Sequence, residues 1–309
     1  MNDQSRHEFG GAWTEVKLAA ISAYSRFFTS AIGSKFDLWY VDPFAGTGER
    51  VEIATAGGLL EGTPISEIER RYPGSASRAL MQVPAFNHYR FGDSKKAHVD
   101  ALNDLCRKFP EIDAKVISQD ANKFIQSMFS HKFWRSDDFS FGTPRALVFL
   151  DPYGLEVKWA TLCALAECQK ADVWLLANLG GAVRQLCHDH SKLDESKRKS
   201  LSEYFGTTDW EQEFYDVQSG VDMFGDLFAN KSRKASKADV AAFHRMRLET
   251  LFKGYVSDPL PLAVGNVDDY FLLYCMSNNP HPKACALIKK GADWVINSYK
   301  RASRHKFSL

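Results

Sequence analysis

The sequence predicts an α/β fold, in which one mostly parallel sheet carries helices on both faces. Three observations predict it. Short apolar runs recur between residues 36 and 178, each run ends at an acid or an amide, and most runs are followed by helix-like sequence. Alternation of this kind forms a parallel sheet covered on both sides. Ligands of such sheets bind in a crevice beyond the carboxyl ends of the strands, which is the edge where these acids are expected.

A helix is predicted before the first strand. Between Trp13 and Ile32 apolar residues recur at spacings of three and four, and Gly33 ends the pattern. We expect residues 1–35 to form an N-terminal helical cap and residues 36–309 to form the main domain.

The apolar runs of the main domain predict five parallel strands. Helical patterns separate or follow them at residues 64–72, 94–109, 121–129 and 159–170. In chain order, the runs are "FDLWYVD" ending at Asp42, "NHYRFGD" at Asp93, "AKVISQD" at Asp120, "RALVFLD" at Asp151 and "ADVWLLAN" at Asn178.

The alternation stops after Asn178. Residues from about 180 to 252 are more polar and predict a mostly helical insertion. Two apolar runs, "GYVSDPLPLAVG" and "YFLLYCMS", then flank a short polar turn from Asn266 to Asp269, which predicts an antiparallel hairpin. A last helix begins at Pro282, where a missing N–H costs nothing. We therefore expect a seven-stranded sheet whose last strand is antiparallel, with a helical insertion after the fifth strand.

Composition excludes several classes of protein. The chain has 309 residues, enough to bury a large core, and 39 Lys plus Arg balance 38 Asp plus Glu. The net charge of +1 gives no bulk attraction to polyanions, and the basic runs at residues 231–237 and 300–306 are expected to be solvated faces. The six cysteines form no Cys-x-x-Cys pair, so we expect buried thiols in a reducing compartment and no metal site. No apolar stretch predicts a signal peptide or a membrane span, so a cytoplasmic location without membrane contact is expected.

The stretch "YVDPFAGTGER", residues 40–50, predicts a ligand-binding turn. Its two glycines let the backbone turn sharply and pass close to a ligand. Val51 replaces the third glycine of the dinucleotide fingerprint, and His188 and His190 lie in a polar segment, so a nicotinamide dehydrogenase is disfavoured. The pattern Asp-x-Phe-x-Gly-x-Gly resembles the first motif of class I S-adenosylmethionine-dependent methyltransferases, especially those that act on nucleobase amines.

The resemblance implies S-adenosylmethionine as cofactor and assigns residues to it. Asp93 is expected to accept the ribose hydroxyls, and Asp120 with Asn122 to bind the adenine. Each acid could instead be a helix cap, but four acids at successive strand ends favour the cofactor. The residues expected at the glycine turn are Asp42, Phe44, Ala45, Gly46, Thr47 and Gly48.

The stretch "FLDPYG", residues 149–154, resembles the Asp/Asn-Pro-Pro-aromatic turn of amine methyltransferases. The second proline is missing, which makes the turn more similar to the Asp-Pro-Phe-Gly of tRNA guanine-N2 methyltransferases. The resemblance implies a catalytic set of Asp151, Pro152 and Tyr153, in which Asp151 orients the acceptor amine and Tyr153 stacks on a flipped base. The alternative is an ordinary strand and Pro turn with a packed tyrosine. Asn178 and Arg184 are further expected on the acceptor side.

The order of these motifs is similar to that of the three-Cys-motif partner protein family (TcmP), over nearly the whole chain from about Trp13 to Trp294. The segments that carry the resemblance include "YVDPFAGTGER", "EGTPISEIE", "VFLDPYGLEVKWATL" and "DYFLLYCMSNNPHPKACALIKK". Thr63 stands for the family's usual serine and Tyr153 for its usual phenylalanine. The family implies a methyltransferase-like fold and a Cys-rich partner protein.

Two functions remain open. The first is a methyltransferase that moves a methyl group from S-adenosylmethionine to a nitrogen, with an exocyclic amine of RNA or DNA as the expected acceptor. The second is a non-catalytic partner module that keeps the fold and works with another protein. A glycine-and-acid face without a polar acceptor pocket would favour the second function.

Overall fold

The computed structural model describes residues 12–56, 66–135, 142–221 and 227–305. The strands are β1 (Asp37–Asp42), β2 (Glu49–Ala56), β3 (Ser66–Pro73), β4 (His88–Asp93), β5 (Asp113–Ser118), β6 (Pro144–Leu150), β7 (Ala171–Ala177), β8 (Tyr215–Val221), β9 (Leu227–Arg233), β10 (Tyr255–Val256), β11 (Leu260–Val264) and β12 (Val267–Ser277). The α-helices are α1 (Ala12–Ile32), α2 (Ser75–Leu80), α3 (Lys96–Arg107), α4 (Ala121–Ser130), α5 (Lys132–Arg135), α6 (Trp159–Cys168), α7 (Leu179–Gln185), α8 (Glu195–Phe205), α9 (Trp210–Phe214), α10 (Lys237–Leu251) and α11 (Pro282–His305), and a 3₁₀ turn covers His190–Lys192.

The central sheet confirms the predicted fold class. Strands β5, β4, β1, β6 and β7 are neighbours in that order and pair in parallel. Strand β12 pairs antiparallel with β7, and β10 and β11 lie one after the other along the far edge of β12. Since β10 and β11 are two pieces of one strand position, the eight strands occupy seven positions.

Helices cover both faces because the central strands are apolar on both sides. In β6, Leu147 and Phe149 belong to the same core cluster as the buried residues of α1 and α3, whereas Val148 and Leu150 belong to the cluster that contains those of α4 and α6. All four side chains are fully buried. Strands buried on both faces are typical of parallel sheets, and they explain why the apolar runs are easy to recognise in the sequence.

Helix α1 covers one face of the sheet, and the predicted helix from Trp13 to Ile32 is confirmed. It packs along α11, and the two helices approach so closely that a Cβ on Gly291 would lie 2.2 Å from the Phe27 ring. The Tyr24 hydroxyl donates a hydrogen bond of 2.8 Å to Asp172 at the start of β7. The first turns of α1 therefore reach the opposite, carboxyl edge of the sheet.

The predicted helix over residues 64–72 is wrong. The described part of this segment, from Ser66 onward, is strand β3, which pairs antiparallel with β2 from Glu49↔Pro73 to Ala56↔Ser66. A short segment has no clear period of its own, and the backbone of the neighbouring strand decides its conformation.

Two further differences concern the second half of the chain. The insertion between β7 and β10 is mostly helical, as expected, but it also contains the antiparallel pair β8–β9. The last hairpin is confirmed, although its turn consists of Gly265 and Asn266 only, since Val264 already pairs with Val267. Gly265 has a φ of +57°, a conformation that glycine adopts at little cost.

No helix within the described ranges is long and apolar enough to span a bilayer. The six cysteines are free thiols, of which Cys168 and Cys275 are buried. The described residues contain no group of three or more His, Cys, Asp or Glu side chains that could hold a metal ion.

Candidate functional site

A cleft with a volume of about 400 Å³ lies at the carboxyl edge of the sheet. It separates the turn after β1 from the turn after β6, and the first turns of α1 form a third wall. The predicted residues in its wall are Phe44, Ala45, Gly46, Thr47, Gly48, Asp151, Pro152 and Tyr153, and residues that the sequence did not single out include Trp13, Lys17, Ser75, His98 and Phe271.

The glycine turn has the conformation that its sequence requires. Gly46 and Gly48 have φ angles of +60° and +76°, and the Gly48 N–H donates to the carbonyl of Ala45. A Cβ on Gly48 would lie 2.6 Å from Leu105 of α3, so this glycine is needed for packing. A Cβ on Gly46 would meet nothing within 4 Å. Gly46 therefore leaves space in the cleft that a ligand could fill.

Asp42 lies beneath the glycine turn and is fully buried. Its Oδ1 accepts a hydrogen bond of 3.2 Å from the Phe44 N–H, whereas its Oδ2 is buried without a hydrogen-bond partner among the described residues. Burial raises the pKa of Asp42 to about 7, and the neighbouring Ser75 hydroxyl opposes part of this rise. The carboxyl group of Asp42 thus shapes the turn and is not part of the cleft wall.

Asp93 contacts His98, which lines the cleft, but does not line the cleft itself. Its Oδ1 accepts a hydrogen bond of 2.8 Å from the Lys95 N–H, and its Oδ2 lies 2.9 Å from Nδ1 of His98. His98 is in the cleft wall and Asp93 is not. The sequence signal that could have identified His98 is its place in the first turn of α3, five residues after a strand-end acid.

Asp120 and Asn122 do not lie in the cleft wall. Asp120 caps α4 by accepting a hydrogen bond from the Lys123 N–H, which is the alternative interpretation of this acid. The side-chain oxygen of Asn122 accepts hydrogen bonds from the Lys158 N–H at 2.9 Å and from the Thr161 hydroxyl at 2.7 Å, and its side-chain nitrogen donates to the Glu156 backbone carbonyl at 2.8 Å. Asn122 therefore fastens the connection between β6 and α6 to helix α4.

The most distinctive contact of the cleft joins Lys17 to Asp151. The Lys17 ammonium donates to both carboxylate oxygens, at 2.8 and 2.6 Å, and also lies 5.0 Å from the ring centre of Trp13. The Lys17 side chain is 6% exposed and that of Asp151 is 21% exposed. The sequence did not reveal this pair because the two residues are 134 positions apart. Its one signal is a lysine within the apolar pattern of α1.

Tyr153 extends from the turn after β6 into solvent. Its side chain is 64% exposed, with Lys95 Nζ 5.8 Å from the ring centre. Asn178 supports the turn. Its side-chain nitrogen donates a long hydrogen bond of 3.4 Å to the Tyr153 backbone carbonyl, and its side-chain oxygen accepts a hydrogen bond from the Gly181 N–H. The Tyr153 ring is therefore mostly exposed and not packed, whereas the strand and Pro turn of the alternative interpretation are present.

Arg184 and the first basic run have neighbours of their own. The Arg184 guanidinium lies 5.4 Å from the ring of Tyr270, and it is not among the residues that line the cleft. Arg233 donates to the carbonyls of Val183 and Leu186, and Lys234 pairs with Asp216. Two of the basic residues of this run, Arg233 and Lys234, therefore have partners within the chain.

A larger cavity of about 570 Å³ lies at the opposite, amino edge of the sheet, between the end of α1 and the start of α11. Its wall is mostly apolar and contains neither the glycine turn nor the strand-end acids. Since ligands of open parallel sheets bind beyond the carboxyl ends of the strands, the cleft near Asp151 is the better candidate despite its smaller volume.

No family model matches the chain, and no curated protein does. Among solved structures, protein LPL1258 from Legionella pneumophila is 12% identical over 93% of this chain and 94% of its own, with a TM-score of 0.38. An S-adenosylmethionine-dependent methyltransferase from Clostridium acetobutylicum is 10% identical over 83% and 91%, with a TM-score of 0.34. The plantazolicin methyltransferase BpumL, in complex with SAH, is 11% identical over 86% and 85%, with a TM-score of 0.32. Similarities this distant carry no conclusion about activity.

Proposed function

We propose that this chain is an S-adenosylmethionine-dependent methyltransferase that acts on a nitrogen, with an exocyclic amine of a nucleobase as its acceptor. One observation carries the proposal. The glycine turn after β1 and the Asp151–Tyr153 turn after β6 lie about 100 positions apart in the sequence, yet they border the same cleft. The first turn supplies open space beside a glycine, and the second supplies a carboxylate and an exposed aromatic ring.

The residues of the cleft fit the cofactor. Gly46 leaves room that any side chain would fill, and His98, backed by Asp93, offers a polar group in the same wall. The stretch from Phe44 to Gly48 would hold the cofactor, which supplies a methyl group on a positively charged sulfur. Since such a sulfur needs no further activation, the chain has to align donor and acceptor and to exclude water.

Asp151 and Tyr153 fit an aromatic amine as acceptor. Each carboxylate oxygen of Asp151 can accept about two hydrogen bonds, and Lys17 uses one on each, so acceptor capacity remains. The exposed Tyr153 ring offers a face on which a base can stack, a contact that contributes about 1–3 kcal/mol in complexes with single-stranded nucleic acid.

The ion pair between Lys17 and Asp151 favours a second function, that of a non-catalytic partner module. An internal ammonium already neutralises the carboxylate that would receive the acceptor. In this alternative, the chain belongs to the three-Cys-motif partner protein family and works with a Cys-rich partner protein. The cleft would then bind the cofactor without transferring its methyl group.

Transfer of labelled methyl from S-adenosylmethionine to cellular RNA, DNA and protein pools separates the two functions. For the enzyme, we expect label in a nucleic-acid pool that is lost in Asp151→Ala and kept in Asp104→Ala, since Asp104 is an exposed aspartate of α3 that pairs with Arg107. A wild-type chain that binds the cofactor and labels no pool would contradict the enzyme and support the module.

A further inference from the structure

The wall of the cleft contains a buried ion pair between Lys17 and Asp151. Lys17 and Asp151 both line the cleft, and each is at least three-quarters buried. Helix α1 is also held on the sheet by Leu18, Ile21, Tyr24 and other side chains that are buried in the core. A buried ion pair is also weak as a source of stability, since desolvation offsets most of the attraction. The effect of the Lys17–Asp151 pair on charged ligands is therefore more informative than its effect on stability.

Any ligand in the cleft lies close to both charges. Both side chains line the same cleft of about 400 Å³, together with the glycine turn that would hold the cofactor. A unit charge roughly 10 Å away in a partly buried site, with an effective dielectric constant near 20, changes the affinity for a charged ligand roughly tenfold to twentyfold. Asp151 alone would favour a cation over a neutral ligand of the same shape by about this factor.

Lys17 removes that preference. Its ammonium lies against both carboxylate oxygens, so the pair presents almost no net charge to the cleft. The methyl donor carries a positive sulfur, whereas S-adenosylhomocysteine, the product left after transfer, is neutral at that atom. Resting on the function proposed above, we propose that Lys17 is a specificity-determining residue whose charge sets the relative affinity of the cleft for the methyl donor and for the neutral product.

The test is a double-mutant cycle on binding, measured by calorimetry with no acceptor present. For each variant the dissociation constants of S-adenosylmethionine and S-adenosylhomocysteine give one ratio, product over donor. We expect the ratio to rise about tenfold in Lys17→Met, which keeps an unbranched apolar chain, and to stay unchanged in Lys17→Arg. Asp151→Asn should lower it about tenfold, and the double variant Lys17→Met/Asp151→Asn should restore it.

Arg26→Met is the matched control, because Arg26 is an exposed cation on the same helix and does not line the cleft. Its ratio should equal that of the wild type. If Lys17→Met binds both ligands with the wild-type ratio, the inference about Lys17 is overturned and the proposed function stands. If the wild type binds neither ligand, the proposed function fails and the inference fails with it. Should Lys17→Met not fold, an unchanged ratio in Asp151→Asn overturns the inference by itself.

Discussion

Replacing Asp42 by asparagine should make the stability of the fold less dependent on pH. Asp42 is fully buried, and one of its oxygens is buried without a hydrogen-bond partner among the described residues. Burial raises its pKa from 3.8 to about 7 in the folded chain. A carboxyl group whose pKa is raised by folding stabilises the protonated fold, and this stability is lost as pH rises from the unfolded value through the folded one.

The change in the free energy of unfolding with pH follows from the pKa of Asp42 in the unfolded chain, 3.8, and in the folded chain, about 7. Between pH 5.5 and 7 the carboxyl of the unfolded chain is ionised while that of the folded chain still holds its proton. Each pH unit in this window therefore lowers the free energy of unfolding by about 1.4 kcal/mol, or about 2 kcal/mol in all, and the loss levels off above pH 7. Asp172, whose pKa is raised to about 6 by burial, titrates in both proteins and cancels in the comparison.

Urea unfolding between pH 5.5 and 8, followed by the fluorescence of the seven tryptophans, measures the difference. We expect Asp42→Asn to gain about 2 kcal/mol on the wild type across this range, with most of the gain below pH 7.5. The matched control is Asp104→Asn, which removes an exposed carboxylate and should follow the wild type. A constant difference between Asp42→Asn and wild type would refute the buried position of Asp42 beneath the turn.

Two further predictions concern the glycine turn and the aromatic ring. Gly48→Ala should lower the free energy of unfolding by roughly 2–5 kcal/mol, because it combines a positive φ with a Cβ 2.6 Å from Leu105. Gly46→Ala should lower the free energy of unfolding by only about 1–2 kcal/mol, because it adds the strain of a positive φ without a clash. Equal losses for Gly46→Ala and Gly48→Ala in urea unfolding would contradict the packing described for the turn. Tyr153→Ala should raise the KM for the acceptor roughly five- to hundredfold while Tyr153→Phe leaves it unchanged, and an equal rise in both variants would contradict a role of the ring alone.

The fold could be predicted because its signals are local. Strands β6 and β7 are apolar runs buried on both faces, as Leu147 and Val148 show by belonging to core clusters on opposite sides of β6. Strand β3 has no such signal, because its conformation depends on pairing with β2. The β8–β9 pair in the insertion depends on pairing in the same way.

The site could be predicted only in part. The glycine turn and the Asp151 turn each lie within a few residues of sequence, and the structure brings both to the cleft. The pattern could not separate an acid that faces a ligand from one that caps a helix, which is the role that Asp120 has. Lys17 could not be assigned to Asp151 because only the packing of α1 across the sheet brings the two residues together.

The most direct test of the proposed cleft is calorimetric titration of the wild-type chain and of Gly46→Val with S-adenosylhomocysteine. A valine at residue 46 would project into the open space beside the turn, where the structure has no other atom within 4 Å of a Cβ. If this cleft holds the cofactor, the wild type binds one equivalent, and Gly46→Val does not bind although its cooperative unfolding transition is retained. Wild-type affinity in a folded Gly46→Val chain, or no binding by the wild type, would contradict the assignment of the cofactor to this cleft.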